Sequence, residues 1–278
     1  MKKLLLIDAD IVAYQACVIG QHNGSWSDDE FMVYGFLDKR RAMDFCIDYI
    51  ERSKKATGAE EVVLCLTGSN NFRYDVDASY KDNRVGTLRP IGLGELKQWM
   101  IDEYGAIKED NLEADDLMGI LATDPTYRPD CKKCIVSEDK DLKTIPNAWL
   151  FNPAKDQKAR LVSQEEADTF WMCQTLAGDP TDGYAGCPTI GMGTAEAIVK
   201  EPYKMVAYQH TFKSGPRKDT SETRYKKQPV GNLWEAIVAH FEHNGLSEKE
   251  AILNAQMARI LRHGDYNFET KEVKLWTP

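Results

Sequence analysis

The chain has little that would tie it to a membrane or to an oxidising compartment. Its most apolar start, Leu4-Leu5-Leu6-Ile7, is four residues long and runs into Asp8, so it is neither a membrane span nor a signal peptide, and a buried strand fits it. Seven cysteines, an odd number, are scattered without a disulfide framework, and Cys131-x-x-Cys134 has no second pair to complete a zinc site. A reduced, cytoplasmic protein is expected, with thiols that fill the core. Histidine is also sparse: His22, His210, His240, His243 and His263 all lie outside the acidic segments described below. A Gly-x-x-x-x-Gly-Lys-Ser/Thr loop is missing, which removes the support for an ATPase. No arrangement of Ser, His and Asp suggests acyl transfer. Positive charge is in deficit, with a net charge of −9, and this argues at first against a nucleic-acid partner. Distribution matters more than the total. Nine carboxylates gathered in one metal pocket leave the rest of the chain neutral, and two divalent cations return about +4 there.

What is present is an ordinary globular composition, 42% hydrophobic and 28% charged over 278 residues, between one large domain and two smaller ones. The N-terminal half alternates short apolar runs with stretches of helical period, the pattern of a parallel sheet with crossover helices. Strands are predicted at Lys3–Asp8, Glu61–Leu66, Lys133–Ser137 and Trp149–Asn152, and helices at Leu37–Lys55, Gly94–Tyr104 and Glu113–Ala122. After Ser163 the character changes. Gln164–Ala177, Gly193–Lys200, Asn232–Glu242 and Ser247–Arg262 read as helices, so residues 1–163 are expected to form an α/β domain and residues 164–278 a smaller helical one. Residues 203–231 form a polar, basic insert holding Lys213, Arg217, Lys218, Arg224, Lys226 and Lys227. It is either a solvated loop or a phosphate-gripping arm.

Acidic residues recur where strands end and helices begin. Asp8 and Asp10 follow the first strand, Glu113, Asp115 and Asp116 open a helix, and Asp139 and Asp141 follow the third strand. In open parallel sheets the carboxyl ends of the strands line the binding crevice, so these groups converge although distant in sequence. Singly, each has a bland reading as a helix cap or turn former. Together they repel, and a fold tolerates that only if protons or cations neutralise them. All-oxygen ligands point to Mg²⁺ or Mn²⁺, and such a site with no dedicated base suits phosphodiester hydrolysis.

A second signal is the run Gly178-Asp179-Pro180-Thr181-Asp182-Gly183 followed by Pro188-Thr189-Ile190-Gly191-Met192-Gly193-Thr194-Ala195. Gly191 and Gly193 precede a helix read as starting at Thr194, where backbone N–H groups can approach a phosphate without reading sequence. Asp179 and Asp182 add two carboxylates.

These segments, in this order, resemble the 5′-nuclease family: bacteriophage 5′→3′ exonucleases, the 5′-nuclease domain of bacterial DNA polymerase I, and flap endonucleases. The matching stretches are Leu6-Ile7-Asp8-Ala9-Asp10, Tyr80-Lys81-x-x-Arg84, Glu113-Ala114-Asp115-Asp116, Ser137-Glu138-Asp139-Lys140-Asp141 and Gly178-Asp179-Pro180-Thr181-Asp182, closing with Pro188-x-Ile-Gly-x-Gly-x-Ala. The resemblance implies a PIN-like parallel-sheet domain followed by a smaller all-helical domain containing a helix-three-turn-helix. It implies a two-metal, Mg²⁺-dependent nuclease, with Mn²⁺ as a substitute, acting on DNA with a 5′ end, whether duplex, nicked or flapped. Asp8, Glu113, Asp115 and Asp116 would serve the first metal, and Asp139, Asp141, Asp179 and Asp182 the second. Lys81 and Arg84 would meet the scissile phosphate, Tyr80 would stack on a terminal base, and Gly191, Gly193 and Thr194 would hold the backbone. The alternatives are an RNA-directed PIN-type nuclease and a DNA-junction binding protein with a decayed pocket. One departure stands out: many relatives carry an acid after the second strand, where this chain has Thr67-Gly68-Ser69-Asn70 and only neutral oxygens.

Overall fold

Alternation along the first strand sets the architecture. In the computed structural model, which describes residues 2–25, 33–84 and 86–278, the apolar start forms β1 (Lys2–Asp8). Leu5 and Ile7 enter one core cluster, while Leu4 and Leu6 enter another, as a period of two requires. All four are fully buried, so β1 is covered on both faces.

The chain continues through α1 (Ala9–Gly20), an antiparallel hairpin of β2 (Gln21–Ser25) and β3 (Val33–Leu37), α2 (Lys39–Thr57), β4 (Glu61–Thr67), the short α3 (Arg73–Val76), α4 (Leu93–Tyr104) and β5 (Ile107–Glu109). Then come α5 (Ala114–Thr123), β6 (Cys131–Val136), β7 (Trp149–Phe151) and β8 (Arg160–Leu161). The six-stranded sheet runs β5-β4-β1-β6-β7-β8, parallel throughout except where β8 meets β7. Strand order departs from β1 first toward β4 and later toward β6, so the topological switch point lies at β1, between those two neighbours. Helices α1, α2 and α4 cover the Leu5/Ile7 face, and α5 covers the Leu4/Leu6 face.

Local signals explain several boundaries. Asp38 caps α2 by accepting the Arg41 N–H at 3.0 Å, and Gly58, at φ 68°, ends it in the left-handed conformation. Helix α1 is absent from the sequence reading. It buries Ala9, Val12, Ala13, Ala16, Cys17 and Gly20 along one stripe, but Tyr14, Val18 and Ile19 on the other side are apolar and exposed, which blurs the polar–apolar contrast by which a surface helix is recognised.

After α6 (Gln164–Ala177) come α7 (Met192–Lys200), a hairpin of β9 (Tyr203–Thr211) and β10 (Ser221–Pro229), α8 (Leu233–His243), α9 (Glu248–Ala258), and a last small hairpin of β11 (Tyr266–Asn267) and β12 (Glu272–Val273). The chain divides into two compact units. One comprises Met1–Ala78, Arg84–Ala167 and Ile260–Leu275; the other comprises Ser79–Asn83, Asp168–Arg259 and Trp276–Pro278. The second unit is helical apart from β9 and β10, which lie in the basic insert. All seven cysteines are buried thiols, and Cys131 and Cys134 enter core clusters on opposite faces of the sheet rather than forming a pair. No described helix is long and apolar enough to cross a membrane.

Candidate active site

In the first unit the site is built at the carboxyl ends of β1, β4 and β6. Asp8 closes β1 and caps α1, its Oδ1 accepting the N–H groups of Asp10 and Ile11, each at 3.2 Å. Its Oδ2 accepts a hydrogen bond from the Ser137 hydroxyl at 3.0 Å. Ser137, the first residue beyond β6, in turn accepts the Asp139 N–H at 3.1 Å, and Asp139 Oδ1 accepts the Asp141 N–H at 2.8 Å. One hydroxyl thus ties Asp8 to the acidic turn that follows β6.

The end of β4 has no acid of its own, yet a carboxylate sits there. Asp10 reaches across from α1, and its Oδ2 accepts the Thr67 N–H at 3.0 Å. Its Oδ1 lies 2.6 Å from Lys97 Nζ of α4. Thr67 Oγ1 accepts the Ala114 N–H at 3.2 Å, which anchors the start of α5, and the Ser69 hydroxyl is turned to Asp110.

Burial and mutual repulsion raise the proton affinity of two carboxyls of this cluster, Asp8 and Asp115. Asp8 is pushed up to about 7, first by burial and then by the neighbouring Asp10, against the hydrogen bonds from Ile11 and Ser137. Asp115 is held well above the ordinary carboxylate range by burial, then by Asp8, Asp139, Glu113 and Asp116. Asp115 Oδ1 is buried and has no hydrogen-bond partner among the described residues. A buried anionic oxygen without a donor is costly, and a hard divalent cation is the partner that its chemistry suits.

Asp116 departs from the metal role that the resemblance implies. Its Oδ2 accepts from Arg73 Nη1 at 2.6 Å and from the Glu113 N–H at 3.4 Å, and its Oδ1 accepts from Arg73 Nη2 at 2.9 Å and from the Leu261 N–H at 3.1 Å. A carboxylate has about four acceptor positions, and these four donors fill them. Asp116 is therefore a structural anchor in this conformation. Glu113 also lies 3.4 Å from Arg73. Among the described residues no three acidic or His/Cys side chains are already closed around one point. Lys97 and Arg73 instead supply positive charge to Asp10 and Asp116.

In the second unit, Tyr80, Lys81 and Asn83 pack on the acidic turn Asp179–Gly183. The Lys81 N–H donates to Asp182 O at 3.1 Å, and Lys81 Nζ stands 3.6 Å from Asp182 Oδ1. Asn83 Nδ2 donates to Pro180 O at 2.9 Å. Gly183, at φ 87°, lets the two segments meet: a Cβ there would lie 3.2 Å from the Lys81 backbone nitrogen. Asp179 is buried, and its Oδ1 accepts the Thr181 N–H at 2.8 Å. Tyr80 corrects an expectation. Its ring is 1% exposed and its hydroxyl lies 3.5 Å from Asp182 Oδ2, so it offers no face for a terminal base in this conformation. Helix α7 starts at Met192 rather than Thr194, with Gly191 as its cap, and Gly191, Gly193 and Thr194 are exposed or partly exposed. A Cβ at Gly191 or Gly193 would meet nothing, so this helix start is open to a ligand. Arg84 is exposed at the end of a short 3₁₀ turn.

Sequence reasoning missed Arg73, Lys97 and Ser137 as parts of the site. Ser137 was within reach, since it immediately precedes the acidic turn. Lys97 carries no local signal, being one lysine on an amphipathic helix, and only the fold brings it to Asp10.

No family model matches the chain. It is 36% identical to the exodeoxyribonuclease of Enterobacteria phage T3 over 100% of its own length and 93% of the relative, and 35% identical to the exonuclease of Escherichia phage T7 over 100% and 94%. Among solved structures it is similar to the phage T5 5′-exonuclease with bound zinc, at 14% identity and a TM-score of 0.55 over 93% of each chain. A T5 flap endonuclease in a product-like complex with DNA and metal ions gives a TM-score of 0.52 over 72% of this chain. With a full-length relationship to two phage exonucleases, and acids placed at the strand ends of the same fold, this chain belongs to the 5′-nuclease family.

Proposed function

We propose that the protein is a Mg²⁺-dependent 5′→3′ exodeoxyribonuclease with flap-endonuclease activity, acting in the host cytoplasm on duplex, nicked or flapped DNA. The observation that carries this reading is Asp115 Oδ1, a buried carboxylate oxygen with no donor, beside an Asp8 that burial and then the neighbouring Asp10 push up to about 7. Such donors fit a hard divalent ion, with Mn²⁺ able to replace Mg²⁺. Asp8, Glu113 and Asp115 would hold one ion and Asp139 and Asp141 a second, with Asp179 and Asp182 as further candidates. When bound, the ions supply activation of a water nucleophile and neutralisation of charge on the leaving oxygen.

The chain's own groups do the rest. Ser137 fixes the orientation of Asp8, and Asp10 ties the end of β4 to α1. Lys81, its backbone pinned to Asp182, and the exposed Arg84 present cations to a phosphate. Residues 1–163 carry the chemistry, while residues 164–278 hold DNA, with Gly191, Gly193 and Thr194 at a helix start within a helix-three-turn-helix. The test is to incubate 5′-labelled duplex, nicked and flapped DNA, and matched RNA, with Mg²⁺, Mn²⁺, Ca²⁺ or EDTA and to size the products. Release of short 5′-phosphorylated products from DNA with Mg²⁺ or Mn²⁺ is expected. Cleavage that persists in EDTA, or that is confined to RNA, overturns the reading.

A further inference from the structure

The insert that composition left open is an ordered antiparallel hairpin. Nine residues of β9 pair with nine of β10, from Tyr203↔Pro229 to Thr211↔Ser221. The pairing continues past the strands, where the Phe212 N–H donates to Thr220 O at 3.0 Å. At about 3.3 Å per residue the arm is roughly 30 Å long. Its root is packed: Tyr203 stacks edge-on to His240 of α8 at 5.0 Å, Tyr225 to His243 at 4.5 Å, and Lys204 pairs with Glu235 at 3.0 Å.

Charge concentrates on this arm. Residues 203–231 hold seven basic and two acidic residues, a net +5 that leaves −14 on the remainder of a chain whose total is −9. A polyanion approaching so acidic a protein must be drawn by a local patch. The tip is also pre-arranged. Glu222 holds Arg224 Nε at 2.7 Å and Arg217 Nη1 at 3.2 Å, and both guanidinium groups lie over the Phe212 ring, at 5.3 and 4.1 Å. Lys213 and Lys218 are exposed at the tip, and Lys226 and Lys227 are exposed farther down β10, opposite Val206 and Met205. A guanidinium held by one carboxylate keeps further N–H donors for phosphate oxygens.

We propose that the β9–β10 hairpin is a phosphate-binding arm that grips the backbone of the DNA substrate without reading its sequence; this rests on the DNA-nuclease reading above. The test compares the wild-type protein with a variant carrying Lys213→Ala, Arg217→Ala, Lys218→Ala, Lys226→Ala and Lys227→Ala. Binding to a labelled duplex is followed by fluorescence anisotropy in Ca²⁺ across a salt series. Every phosphate that the arm no longer neutralises lowers the slope of log Kd against log salt by about 0.9, so a flattening of roughly 2–4 and a drop of at least about tenfold in affinity at ~0.1 M salt are expected. Lys213→Glu with Lys218→Glu, at exposed tip positions, separates an effect of charge from one of folding and should weaken binding with unchanged thermal melting. An unaltered Kd, or weaker binding with an unaltered slope, overturns the arm if the wild type binds and cuts DNA. A wild type that neither binds nor cuts DNA overturns it by removing the nuclease reading beneath it.

Discussion

Arg73 closes both arms of its guanidinium on Asp116, at 2.6 and 2.9 Å, with the arginine 2% exposed and the aspartate fully buried. The pair fixes the first turn of α5, the same turn that presents Asp115 and Glu113. Removing one partner strands the other charge in the core, so Arg73→Ala is expected to cost about 3–5 kcal/mol, read from the urea midpoint. The double variant Arg73→Met with Asp116→Leu should recover most of that loss. Equal instability of the single and double variants would show that the charges themselves are not the source.

A pH dependence follows from Asp8. Its ordinary value is 3.8 and in the fold it lies at about 7. A carboxyl raised on folding contributes stability that is complete below its unfolded value and is lost as pH rises through the folded value, because the native state binds the extra proton. Asp115 shifts in the same direction. The metal-free protein should therefore melt lower at about pH 8 than at about pH 5, with a loss on the order of 2–3 kcal/mol from Asp8 alone. Added Mn²⁺ should restore the melting temperature at the higher pH and do little at the lower, since ions compete with protons for these oxygens. Calorimetry with and without Mn²⁺ reads both effects.

Asp139→Asn with Asp141→Asn is expected to lower cleavage by several orders of magnitude while duplex binding survives, because two charges leave the acidic turn and no basic residue is touched. Near-normal turnover in a single-turnover assay would refute their assignment to metal.

Lys97 stands 2.6 Å from Asp10 and so places a positive charge at the mouth of the carboxylate cluster. Lys97→Met should tighten Mn²⁺ binding by about tenfold, the effect of about 1–2 kcal/mol of relieved repulsion at an effective dielectric near 20. Electron paramagnetic resonance titration of free Mn²⁺ measures it, and unchanged affinity would place the ion away from Asp10.

Lys81→Ala should slow the chemical step more than it weakens binding, since an ammonium aimed at a phosphate acts on charge that develops in the transition state. Rapid-quench kinetics at saturating DNA separate the two, and a change confined to Kd would make Lys81 a binding residue only.

Much of this arrangement was legible in the chain itself. The apolar run Leu4–Ile7, ending at Asp8, places that acid at a strand end, and the turn residues after β6 place Asp139 at another, because the extent of an apolar run and the turn that ends it are local properties. Less legible were α1, whose exposed side is also apolar at Tyr14, Val18 and Ile19, and the β9–β10 hairpin, whose polar strands look like a loop. Tyr80 reads as a stacking aromatic in the sequence, and only its packing shows that the ring is covered.

The sequence by itself determined which acids arrive at the carboxyl edge of the sheet. Tertiary structure alone decided which of them keep an oxygen without a donor. Asp116 is satisfied by Arg73, 43 residues away in the chain, and by the Leu261 amide, 145 residues away, whereas Asp115, its immediate neighbour, retains a bare buried oxygen. Counter-charges and amide donors act over a few ångströms and come from remote segments, so no local pattern encodes which carboxylate they will reach.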